Sequence, residues 1–249
     1  MKEELVSIIT PMYNAEKYIA QTIESVQKQS YQNWEMLIID DASTDKSEEI
    51  VKKYSGRDKR IKYHRQNKNC GIANARNTAI KMAQGRYLAF LDSDDMWKND
   101  KLEKQIQYMQ KEDIAFCYSA CEIVDSGGSA TGKIRSVPLN IDYRTLLKGN
   151  YIPCLTVVLD RKKIDNIEMS NISHEDYATW LNILKQGIVA YGINEVLASY
   201  RVNNNSVSGN KLRAISWSWN IYRKNQGLGL LKSSYYLVHH IFNAVKKRL

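Results

Sequence analysis

Asp92, Asp94 and Asp95 put three carboxylates within four residues, directly behind the apolar run Tyr87-Leu-Ala-Phe-Leu91. Charges that close repel one another and lose hydration unless a cation or several N–H donors stand among them. Oxygen ligands of this kind suit a hard divalent ion, Mg²⁺ or Mn²⁺. A solvated acidic turn is the ordinary reading of an isolated D-x-D. Here the abrupt change from buried strand to carboxylates favours a site. A second acidic end, Asp40-Asp41, closes the run Trp34-Glu-Met-Leu-Ile-Ile39. A third, Glu175-Asp176, opens a segment whose apolar residues Tyr177, Trp180, Leu181 and Leu184 fall at helical spacing. A carboxylate in a first helical turn is favoured as the anion by the helix dipole.

These residues need rigid elements to hold them. Tyr87 to Leu91 is apolar without alternation, as in a parallel strand covered on both faces. Leu5 to Thr10 reads as another such strand, stopped by Pro11. Asn14 then caps a helix carrying Ile19, Ile23 and Val26. Trp34 to Asp41 is a further strand, with Ser43-Thr-Asp45 starting a helix through Ile50, Val51 and Tyr54. Ile61 to His64 gives a short strand. Ile72, Ala75, Ala79, Ile80 and Ala83 mark a helix that Gly85 would close as its C-cap. Strands alternating with helices at this interval predict an α/β protein with right-handed crossovers and a mostly parallel central sheet. Thr10, Asp40-Asp41 and Asp92 to Asp95 all fall at the carboxyl ends of strands, the edge where open α/β sheets bind ligands.

Past Trp97 the pattern predicts a helix through Leu102, Ile106 and Met109, and strands over Ala115–Val124, Leu155–Leu159 and Val196–Tyr200. The turn Asp125-Ser-Gly-Gly128 follows the first of these strands, and a polar loop runs from Arg201 to Ser206. The chain divides into residues 1–100, residues 101–209 of the same body, and a tail over 210–249. In the tail Leu231, Val238, Ile241, Phe242, Val245 and Leu249 share one side of a helix, with Lys232, Lys246, Lys247 and Arg248 outside it. Such a helix lies in the headgroup region of an anionic bilayer, or packs on the body or on a second subunit.

Lysine and arginine number 36 against 27 acids, a net charge of +9 and a pI near 9.2, which suits anionic partners. Cys70, Cys117, Cys121 and Cys154 show no zinc spacing and read as reduced thiols. There is no signal-peptide pattern and no spanning apolar run, so a cytoplasmic protein is expected, peripheral on the membrane if the tail binds it. No glycine occurs between Thr10 and Ile19, which excludes a dinucleotide-binding or NTPase phosphate loop. No nucleic-acid motif is present.

Five motifs in order carry a resemblance: Val6-Ser-Ile-Ile-Thr-Pro-Met-Tyr-Asn14, Ile38-Ile-Asp-Asp-Ala-Ser-Thr-Asp45, Gly71-Ile-Ala-Asn-Ala-Arg-Asn77, Leu91-Asp-Ser-Asp-Asp95 and His174-Glu-Asp-Tyr-Ala-Thr-Trp180. The chain resembles the family 2 inverting glycosyltransferases of the GT-A fold. It is most similar to the small bacterial enzymes that add sugars to lipid-linked cell-surface polysaccharides, including the teichuronic-acid type. The resemblance implies a nucleotide-sugar donor, commonly UDP with dTDP and GDP left open, and a lipid-linked saccharide acceptor. It places Thr10, Pro11 and Tyr13 along the nucleotide base, with Asp41 accepting a hydrogen bond from the base ring. Asp92 would approach the ribose and contribute to the metal site. Asp94 would bind the Mn²⁺ or Mg²⁺ that bridges the diphosphate. Gly71 and Arg76 would lie near the diphosphate or the sugar, and Asp176 matches the catalytic base.

Each role has a plainer counterpart: Tyr13 as core, Asp45 as a helix-start residue, Arg76 as a surface ion pair, Glu175 as a cap or a positioner of its neighbour, and His174 as structural. The chain departs from the family at Tyr200-Arg-Val-Asn203, where many relatives carry a histidine, leaving Arg201 to act alone on the diphosphate. It also lacks the Q-x-x-R-W signature of processive relatives, which implies one sugar per encounter. The competing reading is an inactive nucleotide-sugar-binding relative that serves as a partner subunit. Oligomeric state is left open.

Overall fold

The computed structural model describes residues 3–202 and 211–246. The loop expected at 203–206, and the side chains of Val245, Lys246, Lys247, Arg248 and Leu249, lie outside the described residues.

Strands β1 (Val6–Met12), β2 (Trp34–Asp40), β3 (Ile61–Arg65) and β4 (Tyr87–Phe90) form a parallel block in the order β3-β2-β1-β4. Helices α1 (Ile19–Gln27), α2 (Ser47–Arg57) and α3 (Ile72–Met82) make the crossovers. The sheet continues from β4 through β9 (Val158–Asp160), β6 (Phe116–Val124), β10 (Ala190–Arg201) and β5 (Met96–Trp97). β9 is antiparallel to both its neighbours, and β10 is parallel to β6. β7 (Ala130–Arg135) and β8 (Asn140–Ile141) add to β6 and β10. α4 (Lys101–Lys111), α5 (Tyr143–Leu146), α6 (Glu175–Leu184), α7 (Lys211–Asn220) and α8 (Leu230–Lys246) complete the chain. Among the described residues no helix is long and apolar enough to cross a membrane. All four cysteines are unpaired.

The central strands are apolar without alternation because both sheet faces are covered. One face packs α3 and α6 through Ala79, Leu88, Phe90 and Trp180. The other packs α1, α2 and α4 through Ile23, Val51, Ile106 and Trp97. Trp180 meets Phe90 and Phe116 edge-on, each with ring centroids 5.3 Å apart. Each such pair adds roughly 1 kcal/mol beyond area burial, so the helix carrying Asp176 is fixed on the strand that leads to Asp92.

Pro11 does not stop β1, which runs on to Met12. The Ile9 carbonyl accepts from Leu91 N–H, so odd residues of β1 address β4. β4 has ended by Pro11, and a proline there removes no ladder bond. Asn14 does not cap α1. Its Oδ1 accepts from Thr44 N–H at 2.8 Å, tying two loops at the mouth of the sheet. Gly85 is not a C-cap either: α3 ends at Met82 with Ala83 extended beyond it. A Cβ at Gly85 would stand 2.6 Å from Leu5 O and Ser7 N, so close backbone approach is what requires glycine. The strand expected over Leu155–Leu159 begins as a 3₁₀ turn, Cys154–Thr156, and becomes β9 only at Val158. Asp45 is a helix-start residue, its Oδ1 accepting from Ser47 N–H at 3.0 Å.

Lys101 is fully buried at the start of α4, its Nζ 4.0 Å from the Trp97 ring centroid and without a hydrogen-bond partner. Burial lowers its pKa from 10.5 to about 7. The folded state therefore releases this proton near neutrality while the unfolded chain holds it to about 10.4. Unfolding takes up a proton in between, and stability should rise with pH across that interval. Lys101→Met is expected to raise stability at pH 7 by on the order of 2 kcal/mol and to flatten that slope. Denaturant melts at pH 7 and pH 10 check it; an unchanged slope would sink the account.

Candidate active site at the sheet switch point

The strand order reverses between β1 and β4, and a crevice outside the carboxyl ends of strands is expected at such a point. A hollow of about 690 Å³ opens there. β1 supplies Pro11 and Met12 and runs into Tyr13 and Asn14. β2 leads to Asp41, α3 contributes its first turn from Gly71, and β4 delivers Asp92 to Asp95. β10 closes the rim with Tyr200 and Arg201.

Asp41 is buried and accepts Cys70 N–H at Oδ1 (2.7 Å) and Gly71 N–H at Oδ2 (2.8 Å). Gly71 has φ +88° and ψ 162°, a conformation that is essentially glycine-only, and it turns the chain into α3. Each Asp41 oxygen has a second lone pair, and the residue lines the hollow. Tyr13 is half exposed at 50% and lines the opening, so it is not core. Thr10 is fully buried and lines no part of the hollow. β1 continues to Met12, which leaves Thr10 two residues inside the sheet.

Arg76 is not a surface residue. It is 2% exposed, with Nη2 donating to Asp92 Oδ1 and Nη1 to Glu175 Oε1, both at 2.5 Å. From α3 it joins the loop after β4 to the first turn of α6, its Glu175 partner lying 99 residues away in sequence. The Glu175 carboxyl is pushed up by burial against the pull of Arg76, with the Asp176 charge adding to the rise. Asp176 does not line the hollow itself. It stands beside Glu175 in that first turn, near enough for its charge to help raise the Arg76 pKa.

Arg201 serves the acidic loop. Its backbone N–H donates to Asp95 Oδ1 (2.8 Å), Nε to the Asp94 carbonyl (2.7 Å), Nη1 to the Ser126 carbonyl (2.9 Å) and Nη2 to Gln21 Oε1 (2.6 Å). Its guanidinium lies 4.7 Å from the Tyr18 ring centroid. Neither Tyr18 nor Gln21 carries a local signal for this role, since the contact crosses 180 residues.

Burial and the Asp92 charge push the Asp94 carboxyl up to about 6. Burial, followed by Asp94 and Asp92, pushes Asp95 well above the usual range. Carboxyls this close together and this far from water resist ionising side by side. Among the described residues no group of three or more His, Cys, Asp or Glu side chains forms a complete metal cage. Two carboxylates facing one hollow are still the donor set that Mg²⁺ or Mn²⁺ takes when waters and substrate phosphates fill the remaining positions. His174 precedes α6, its ring edge-on to Trp217 at 5.0 Å.

Residues 7–164 match the family model described as glycosyl transferase family 2. TuaG of Bacillus subtilis (strain 168), a glycosyltransferase named for teichuronic acid biosynthesis, is 46% identical over 246 residues, covering 98% of each chain. The UDP-Glc:alpha-D-GlcNAc-diphosphoundecaprenol beta-1,3-glucosyltransferase WfgD of Escherichia coli is 42% identical over 251 residues, covering 99% of this chain and 96% of its own. In fold the chain is similar to the mannosyltransferase PcManGT from Pyrobaculum calidifontis, solved with GDP-Man and Mn²⁺. That likeness has a TM-score of 0.70 and 18% identity, covering 93% of this chain and 69% of the other.

Proposed function

Because the chain belongs to glycosyl transferase family 2, we propose that it moves one sugar from a nucleoside diphosphate donor to a hydroxyl of a lipid-linked saccharide, inverting the anomeric carbon. The observation carrying this reading is the Arg76 bridge, which ties the acidic loop of the donor hollow to the helix that presents Asp176. A UDP-sugar is the first choice of donor, since the name of WfgD gives UDP-Glc and a diphosphoundecaprenol-linked acceptor.

In this reading Pro11 and Tyr13 flank the base, Asp41 accepts from its ring, and Asp92 faces the ribose. Gly71 lets the backbone come close to the diphosphate, and Arg201 holds the loop that meets it. Asp94, with Asp92, would hold Mn²⁺ or Mg²⁺, which when bound supplies positive charge against the departing diphosphate. Asp176 takes the proton of the acceptor hydroxyl as its oxygen attacks C1 on the face opposite the C1–O–phosphate bond. The new C–O bond forms as the old one breaks, and the bonding pair leaves with the nucleoside diphosphate. The basic tail would bring the protein to the membrane surface where such an acceptor resides.

Calorimetry with UDP, with and without Mn²⁺, tests the donor side. The wild type should bind UDP more tightly with Mn²⁺, and Asp94→Ala should lose that increment, an effect of about tenfold or more. Equal Mn²⁺ enhancement in both proteins would remove Asp94 from the metal.

A further inference from the structure

Helix α8 meets the body through only part of its apolar residues, with Tyr236 and Leu237 packed on the core. Polar side chains share that inward face: Asn243 Nδ2 donates to the Lys148 carbonyl (3.0 Å) and to Tyr151 Oη (2.8 Å), and His240 Nδ1 meets Tyr222 Oη at 3.0 Å. Ser233 is fully buried. A second set of apolar side chains faces out: Leu231 is 89% exposed, Val238 66% and Phe242 65%, with Tyr235 beside them. Their spacing of four, three and four residues sets them in one stripe along the helix. Exposed apolar stripes of this extent mark an interaction surface.

Charge selects the occupant. Residues 210–249 hold eight of the chain's 36 lysines and arginines and none of its 27 acids, so the first 209 residues are close to neutral and the tail carries almost the whole excess. A second copy would bring the same positive charge to the contact and be repelled. Beside the stripe, a hollow of about 650 Å³ between α5 and α8 combines Arg144 and Lys232 with Tyr143, Leu147 and Tyr235. Two cations over tyrosine and leucine match a lipid phosphate above the start of its acyl chains.

We propose that α8 is an interfacial helix that docks on an anionic lipid bilayer, with Leu231, Val238 and Phe242 entering the acyl boundary and the Arg144–Lys232 hollow seating a lipid headgroup phosphate. This rests on the reading that the acceptor is lipid-linked, and it deepens that reading by naming the face turned to the membrane. Apolar burial and cation attraction contribute together in such binding.

The test is flotation of the full chain with vesicles of phosphatidylglycerol and phosphatidylcholine, against phosphatidylcholine alone. The wild type should float with the anionic vesicles, less so at high salt. Leu231→Glu with Phe242→Glu, both pointing outward, should lower the bound fraction about tenfold or more with an unchanged melting temperature. Arg144→Glu with Lys232→Glu should cost binding to the anionic vesicles in particular. Absence of wild-type flotation, or equal flotation of the stripe variant, overturns the proposal. So does a dimer in solution that the stripe variant dissociates while no vesicle is bound. UDP calorimetry on the same preparations keeps the two readings apart: UDP binding without flotation sinks only the membrane face, and flotation without UDP binding sinks only the donor site.

Discussion

Asp176→Asn is expected to cut sugar transfer about a thousandfold or more while leaving UDP affinity within about twofold. Asparagine has the size of aspartate, and its Oδ1 can still accept the Tyr177 N–H that Asp176 Oδ1 accepts at 2.7 Å. The first turn of α6 should therefore keep its shape. What the amide loses is the capacity to take a proton at neutral pH. An acceptor hydroxyl is a weak nucleophile without a base in reach, and general-base assistance accounts for two to four powers of ten in such reactions. The expected signature is a fall in kcat with KM for the donor held, because Asp176 lies outside the donor hollow. Steady-state transfer assays supply the first measurement and calorimetry with UDP the second. A variant that transfers sugar at a tenth of the wild-type rate would place the base elsewhere, with Glu175 next in line.

The sheet and the acidic ends of its strands were legible because their signals are local. Tyr87 to Leu91 and Trp34 to Ile39 are apolar on both faces, and each ends in aspartates where its strand ends. The failures are also physical. β7 is a polar edge strand, nearly all exposed, so no hydrophobic pattern announces it. Pro11 and Gly85 are punctuation marks by sequence, yet the first sits where a neighbouring strand has stopped and the second where another backbone passes too near for a Cβ. Thr10 lies two residues inside the strand whose end it was expected to mark. Arg76 and Arg201 owe their burial to partners 99 and 180 residues away in sequence, and nothing in their neighbours reveals such a pairing. The outward stripe of α8 was visible as a period, but which side met the body required the inward bonds of Asn243 and His240.

Arg76→Met should destabilise the fold by about 3 kcal/mol, because removing one member of a buried charge network leaves the others unpaired. The Asp92 side chain is 26% exposed and that of Glu175 15%, so water reaches the first more than the second. Methionine fills much of the space of the arginine stem but offers no donor to either carboxylate. With Arg76 gone, the Glu175 carboxyl, already raised by burial, is pushed up further, and a group whose folded pKa is raised holds its proton in the folded state when the unfolded chain has lost it. The folded variant then binds more protons than the unfolded chain, so the deficit should be greatest at and above pH 7 and shrink as pH falls toward 5. Denaturant midpoints across that range measure it. Glu175→Gln in the same background should recover part of the loss by removing one stranded charge, whereas in the wild type it should cost stability by weakening the bridge. Opposite signs in the two backgrounds are what a bridging Arg76 requires. Equal effects would mean that Arg76 merely fills space, and that the donor hollow and the helix of Asp176 are held together by other contacts.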